Sequence, residues 1–177
     1  ETPGAGALDR DQGAGVVTID QVRFRYDDAS DAPHDGVSFV AKPGTPPAIV
    51  GWSGAGKTTL LNLAARLYDV GDGAIRLDDV DVRDLSLRTM ASSIGMVTQE
   101  SFLFADSLAA NIAYGRPEAG PEEIEKAARA AAIHDRIMEF DDGYDTEVGE
   151  RGFRLSGGER QRIAIARVLL HDPRVLL

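Results

Sequence analysis

The residues with the clearest chemical purpose form the stretch GWSGAGKTT at positions 51–59. It matches the pattern G-x-x-x-x-G-K-[ST], in which a glycine-rich turn leads from a strand into a helix. Its three glycines let backbone N–H groups converge on phosphate oxygens, and the helix start adds partial positive charge. Lys57 supplies a full charge, and the hydroxyl of Thr58 can ligate Mg²⁺. The pattern predicts a site for a nucleoside triphosphate.

The alternative interpretation is an ordinary glycine-rich turn between a strand and a helix. The flanking residues favour the phosphate site, because AIV precedes the turn and LLNLAARL follows it in helical phase. Pro46 and Pro47 cannot donate ladder hydrogen bonds, so we expect only a short strand over residues 48–50. The residues expected to hold the nucleotide here are Gly51, Trp52, Ser53, Gly54, Ala55, Gly56, Lys57, Thr58 and Thr59.

A second motif, RLSGGERQRIAIARVLL, covers residues 154–170. Its serine and two glycines open a helix, where exposed amide donors can meet an anion. Taken alone, the stretch could be a plain capped helix with a flexible entry. Because a triphosphate loop precedes it by about a hundred residues, a second phosphate contact is the stronger hypothesis.

Composition narrows the class of protein. The chain has 177 residues, a net charge of −10 and no cysteine, which excludes disulfides and thiolate metal sites. No cluster of Lys and Arg offsets the negative charge, so we expect no nucleic acid partner. The sequence contains no run of about 18 apolar residues, so it predicts no membrane-spanning helix. The chain starts at Glu1 without a visible signal peptide, which suggests a piece of a longer protein.

The periodicity of apolar residues predicts an α/β fold. Residues 1–15 indicate a linker, and two strands at 16–26 and 36–41 indicate an antiparallel pair. Strands that alternate with helices then predict a parallel core sheet. The helices are expected at 57–67, 87–92, 107–114, 121–132 and 157–170, and the further strands at 74–77, 94–98 and 175–177.

The two motifs, in this order, make the chain resemble the nucleotide-binding domain of an ABC transporter. LSGGERQR is similar to the signature motif of that family, and the likeness extends over residues 16–177. The resemblance implies a P-loop NTPase-like fold, with an antiparallel β subdomain near the N-terminus. It also implies a helical subdomain at roughly residues 100–160 that carries the signature motif.

The resemblance also implies roles for individual residues. Tyr26 would stack on adenine; the alternative is a plain strand aromatic. Lys57 and Gln99 would be catalytic, and Gln99 would contact the attacking water and share Mg²⁺ with Thr58. Ser156, Gly157 and Gly158 would grip the γ-phosphate of ATP held by a second, like or unlike, nucleotide-binding domain. The signature residues that face this partner ATP are Leu155, Ser156, Gly157, Gly158 and Glu159.

Finer features resemble the exporter branch of the family. They include SLAANIAYGRP and the stretch DTEVGERG at residues 145–152, which in exporters lies against the membrane domain. The resemblance implies a membrane domain on the N-terminal side of the same polypeptide. It places this domain at the cytoplasmic face of the cell membrane, within a transporter that is driven by ATP and uses Mg²⁺ as a cofactor.

The stretch VLLHDPRVLL ends the sequence at Leu177. In the family, RVLL is followed by an aspartate that holds Mg²⁺ and a glutamate that polarises the attacking water. The resemblance therefore implies that the full-length protein is an ATPase. These 177 residues should bind ATP but hydrolyse it weakly or not at all.

The sequence counts against the first two of three alternative functions. A chromosome-maintenance or DNA-repair ATPase would carry a long coiled coil between the two motifs, and no sustained heptads occur there. A two-cassette translation factor would need a second phosphate loop and a basic surface. A non-hydrolysing regulatory module that dimerises around ATP differs from the leading hypothesis only in residues after Leu177.

Overall fold

The computed structural model describes residues 13–25, 34–99, 101–149 and 155–177. It divides into two compact units, the first ending at Ile94 and the second beginning at Gly95. Tyr26 and residues 150–154 lie outside the described residues, as do most of the predicted N-terminal linker. No helix among the described residues is both long and apolar enough to span a bilayer.

The first unit is built on an antiparallel sheet of four strands in the order β2-β1-β3-β4. The strands are β1 (Val17–Phe24), β2 (His34–Ala41), β3 (Asp72–Leu77) and β4 (Val80–Asp81). The predicted antiparallel pairing of the first two strands is confirmed. β4 was not predicted, because two residues are too few to show a period.

A bulge in β1 changes which side chains point into the core. Val17 and Ile19 are buried, and after a register shift Val22 and Phe24 are buried instead of the residues that strict alternation would choose. Gln21 takes a φ of 47° at this point. A Cβ on Gly73 of β3 would lie 2.4 Å from the carbonyl oxygens of Asp20 and Gln21, so only glycine fits beside the bulge.

Two helices complete the first unit, α1 (Lys57–Ala64) and α2 (Leu87–Ser93). α1 buries Leu60 and Leu63 on one face. It ends earlier than predicted, because Arg66 adopts a left-handed φ of 55°. The predicted strand at residues 48–50 is wrong: no ladder forms there, and Val50 is 86% exposed. The two prolines before it lack the N–H groups that a ladder would need.

The second unit is mainly helical, with α3 (Leu108–Ala113), α4 (Pro121–Ala130), α5 (His134–Ile137) and α6 (Gly157–His171). Their apolar faces share one core that includes Leu108, Ile112 and Ile163. α6 ends where Asp172 turns left-handed at a φ of 52°, just before Pro173. The short α5 was not predicted, whereas α3, α4 and α6 are confirmed within a few residues.

Parallel pairing occurs between two short strands, β5 (Ile94–Gly95) and β6 (Val175–Leu176). The Leu177 N–H donates to the Gly95 oxygen at 2.8 Å, and the Val97 N–H donates to the Leu177 oxygen at 2.9 Å. In a parallel pair, a residue bonds to two residues of the neighbouring strand that are two positions apart, as Leu177 does with Gly95 and Val97. Together the sheets and helices confirm the predicted mixed α/β fold.

Candidate functional site

The glycine-rich loop leads directly into α1. Gly54 and Gly56 have φ values of 82° and 78°, in the left-handed region that glycine adopts without strain. Gly56 is the N-cap of α1, and no side chain caps that helix. The first amide groups of a helix have no partner within it, so the helix start that follows the loop can offer N–H donors to an anion.

The ammonium group of Lys57 lies over this loop. Its Nζ donates to the Gly51 oxygen at 2.9 Å and to the Trp52 oxygen at 2.8 Å. These carbonyls hold the side chain across the glycines, so a positive charge stands beside the helix start. Trp52 itself is 89% exposed, and its ring leaves the loop open.

The two threonines after Lys57 occupy different environments. Thr58 is exposed, so its hydroxyl is accessible from the loop side. Thr59 is 8% exposed and belongs to the buried face of α1. The structure therefore leaves Thr58 as the accessible hydroxyl at the helix start, and oxygen ligands of this kind suit Mg²⁺.

An apolar cavity of about 490 Å³ lies beside the loop in the first unit. Phe39 of β2 and Ile49 contribute to its walls, and Lys57 is the charged residue at its edge. Aliphatic walls offer no hydrogen bonds to a phosphate chain. The polar donors of the loop, and not this cavity, are therefore the groups suited to a triphosphate.

Gln99 lies in the second unit, in an exposed bend that follows β5. The stretch from Ile94 was predicted to be a strand as far as Thr98, but the strand stops at Gly95. A Cβ on Gly95 would lie 2.6 Å from Val168 and 2.7 Å from Pro173, so close packing requires glycine there. Gln99 thus sits in a bend and not at the end of a regular strand.

The signature motif forms a capped helix start. The Ser156 hydroxyl oxygen accepts from the Glu159 N–H at 3.3 Å, and a Glu159 carboxylate oxygen accepts from the Ser156 N–H at 2.6 Å. This reciprocal pair is a capping box. Ser156, Gly157 and Gly158 are exposed, whereas Leu155 is buried and anchors the motif.

Positive charge surrounds this helix start. The Arg160 guanidinium donates to the Leu155 oxygen at 2.6 Å. The guanidinium groups of Arg160 and Arg162 lie within 4 Å of the positions that a Cβ on Gly157 and on Gly158 would occupy. Together with the helix dipole, they make the start of α6 suitable for an anion.

Glu159 is the negative group at this point. Its carboxylate accepts from the Ser156 N–H and also from Arg136 Nε at 2.6 Å. These contacts, the Ser156 amide foremost, lower the pKa of Glu159 to about 2. Glu159 is therefore ionised throughout the physiological range. Sequence reasoning missed Arg136, because 23 residues separate it from Glu159 with no local pattern between them.

A buried network in the second unit was also missed. Asn111 is 1% exposed; its Nδ2 donates to three carbonyl oxygens, among them that of Phe104 at 3.0 Å, and its Oδ1 accepts from the Phe104 N–H at 2.8 Å. Arg167 of α6 donates to the backbone carbonyl oxygen of Asn111 at 2.8 Å and to its Oδ1 at 3.2 Å, and it lies over the rings of Phe104 and Tyr114. Burial lowers the pKa of the Arg167 guanidinium. The signal in the sequence was an asparagine on an otherwise apolar helix face.

Residues 145–149 of the stretch at 145–152, which is expected to lie against a membrane domain, are described. The Val148 N–H donates to the Asp106 oxygen at 2.9 Å, and the Leu108 N–H donates to the Thr146 oxygen at 3.0 Å. Val148 is buried, so this part of the stretch is tied to the segment that enters α3. Residues 150–152 lie outside the described part of the chain.

Comparison with known proteins decides the family. The profile of the ABC transporter family matches residues 34–177. The chain belongs to the ABC transporter family. Its fold superimposes on the structure of a bacterial Atm1-family ABC exporter with ATP bound, with a TM-score of 0.92 and 45% identity over 99% of this chain and 30% of the exporter chain. The predicted resemblance to an exporter-type nucleotide-binding domain is confirmed.

Two relatives of this ABC domain show how much of a longer protein it matches. ABC transporter aclQ of Aspergillus oryzae is 54% identical over 97% of this chain and 21% of its own length. The human ATP-binding cassette sub-family B member 6 is 48% identical over the whole chain and 21% of its own length. The chain therefore spans about a fifth of these relatives.

The glycine loop of this ABC domain has the donors that a triphosphate requires. It combines a helix start, left-handed glycines and one ammonium group in an exposed position. In the described ranges, no group of three or more His, Cys, Asp or Glu side chains could hold a metal ion. An exposed threonine hydroxyl such as that of Thr58 is a kind of protein ligand that Mg²⁺ bound to a nucleotide can use.

Proposed function

We propose that this chain is the ATP-binding and hydrolysing domain of an ABC exporter. The observation that carries the proposal is the placement of Lys57 across a loop whose glycines open onto the start of α1. Such a site holds an anionic ligand by short-range donors, even though the chain has a net charge of −10.

Within this proposal, residues 51–59 bind the phosphates of ATP, and Lys57 neutralises charge on the terminal phosphates. Thr58 and Gln99 are the protein ligands of Mg²⁺, which would offset charge on the phosphate oxygens. Gln99 also orients the attacking water. Tyr26 stacks on the adenine ring. These residues position the reacting groups and neutralise the charge on the phosphates. These two effects account for most of the catalysis of phosphoryl transfer.

The signature motif serves a second nucleotide-binding domain. We propose that Ser156, Gly157 and Gly158, within the signature motif Leu155 to Glu159, contact the γ-phosphate of ATP held by that domain, and that the two domains associate head to tail. The exposure of these three residues at the start of α6 supports this role. The cycle of association and hydrolysis would then power transport.

The partner that receives this work is a membrane domain. The relatives extend well beyond the matched region, and the solved relative is named an exporter. We propose that the membrane domain precedes this chain on the same polypeptide, and that residues 145–152 face it. The domain would then work at the cytoplasmic face of the cell membrane.

Phosphate release tests whether the protein is an enzyme or a non-hydrolysing regulatory module. The intact protein should release phosphate from ATP in the presence of Mg²⁺. A sample of residues 1–177 alone should bind ATP but be slower by about 10²–10⁴-fold, since none of the proposed catalytic residues is a general base. Equal rates from the two samples would contradict the proposal, and no release by the intact protein would favour the regulatory module.

A further inference from the structure

The start of α6 holds a negative charge at the place where the proposed function needs a positive one. The Glu159 carboxylate is 13% exposed and bonds to the amide of Ser156, the serine proposed to meet the γ-phosphate. Like charges repel over several ångströms, more strongly where water is partly excluded. An incoming phosphate would therefore meet repulsion from Glu159 unless another group offset its charge. Arg160 and Arg162 lie near Gly157 and Gly158, but the ion pair of the Glu159 carboxylate is with Arg136.

Arg136 of α5 is the group that contacts this carboxylate. Its Nε donates to Glu159 at 2.6 Å, and its Nη1 donates to Glu139 at 2.8 Å. Its guanidinium also lies 4.5 Å from the centre of the Phe140 ring. The Arg136 guanidinium thus contacts Glu139 and Phe140 as well as Glu159.

The two carboxylates bound to Arg136 are not equivalent. The Glu139 side chain is 65% exposed, whereas that of Glu159 is 13% exposed. Water and salt screen the Glu139 charge, so its interactions are weak. The Arg136 charge therefore acts mainly on the sheltered carboxylate of Glu159.

We propose that Arg136 is a positioning residue of the signature motif, which holds the Glu159 carboxylate and offsets its charge so that the start of α6 can accept a phosphate. The inference rests on the proposed function, because the phosphate belongs to ATP on a second nucleotide-binding domain. The capping box and this charge compensation act together: Glu159 fixes the Ser156 amide, and Arg136 removes the electrostatic penalty of using a carboxylate to do so.

The test compares Arg136→Met with the wild type in the intact protein in lipid nanodiscs. Photolabelling with azido-ATP reports binding to the glycine loop. Steady-state hydrolysis reports the association of the two nucleotide-binding domains. Arg136→Met should label like the wild type but hydrolyse ATP about tenfold more slowly, because association then brings the phosphate against a carboxylate that has lost its ion pair. The defect should shrink as salt is raised from about 0.05 M to about 0.5 M, a response that a loss of packing would not show.

A double substitution separates charge compensation from a structural role. Glu159→Gln removes the charge but keeps an oxygen that can accept from the Ser156 amide. In that background, adding Arg136→Met should change the rate of hydrolysis by less than about twofold, because salt screens the remaining effect of the Arg136 charge. Arg136→Lys keeps the charge, so it should retain more activity than Arg136→Met; it also serves if the methionine variant fails to fold.

Two matched controls use exposed ion pairs. Glu139→Gln removes the other carboxylate on Arg136, and Arg129→Met breaks the pair that Arg129 forms with Glu125 on α4. Neither should slow hydrolysis. If Arg136→Met hydrolyses ATP like the wild type, or is equally defective with Glu159→Gln, the inference is wrong while the proposed function stands. If the wild type neither labels nor hydrolyses, both are wrong.

Discussion

The Ser156 side chain caps α6 and is also proposed to contact a phosphate. Its hydroxyl oxygen accepts from the Glu159 N–H and so caps α6, which leaves the hydroxyl hydrogen available to donate elsewhere. The same arrangement of a serine cap occurs at Ser86, whose oxygen accepts from the Thr89 N–H at 3.0 Å at the start of α2. The two serines share the structural function, so any difference between them measures the proposed contact with phosphate.

Alanine at each position provides that comparison. Ser156→Ala and Ser86→Ala should each lower the free energy of unfolding by about 1 kcal/mol, the usual cost of losing a cap. Only Ser156→Ala should also slow ATP hydrolysis by the intact protein, by about tenfold or more, because it removes a donor to the γ-phosphate. Thermal unfolding and phosphate release, measured on the same samples, check both parts. Equal hydrolysis by the two variants would mean that Ser156 is a cap and no more.

At the scale of elements, α6 connects the parts of the second unit. Its start carries the signature motif, and Arg167 near its end donates to Asn111 of α3. Asn111 in turn bonds the backbone of Phe104, a few residues after Gln99. The segment that follows Gln99 and the signature helix are thereby held by one polar network within a largely apolar core.

The two asparagines of the chain allow this network to be tested. Asn111→Ala should lower the free energy of unfolding by about 3 kcal/mol, because it leaves several buried backbone groups without partners. Asn62→Ala, on the partly buried side of α1, should cost less than about 1 kcal/mol, as substitutions away from such networks do. Denaturant unfolding curves measure both. A similar cost for the two substitutions would show that the Asn111 contacts add little stability.

At the scale of the whole molecule, features set by local rules can be predicted from the sequence, whereas long-range contacts cannot. The glycine loop, the helix starts at Ser107, Pro121 and Ser156, and the pairing of β1 with β2 follow from spacing and capping within a few residues, and they were predictable. The pair of Arg136 with Glu159 was not, because only the folded chain brings them together. The residues before the loop were mispredicted, since apolar character alone does not supply the partner that a strand requires.

The central claim is that the loop at residues 51–59 captures the phosphates of ATP through its amide groups and Lys57. The most direct measurement is the dissociation constant for ATP with Mg²⁺, for the wild type, Lys57→Ala and the matched control Lys42→Ala, which removes an exposed lysine outside the two motifs. Lys57→Ala should weaken binding by roughly 10–100-fold, the value of a charge-assisted hydrogen bond, and Lys42→Ala should not change it. Wild-type protein without affinity for ATP, or equal affinity in all three, would contradict the account.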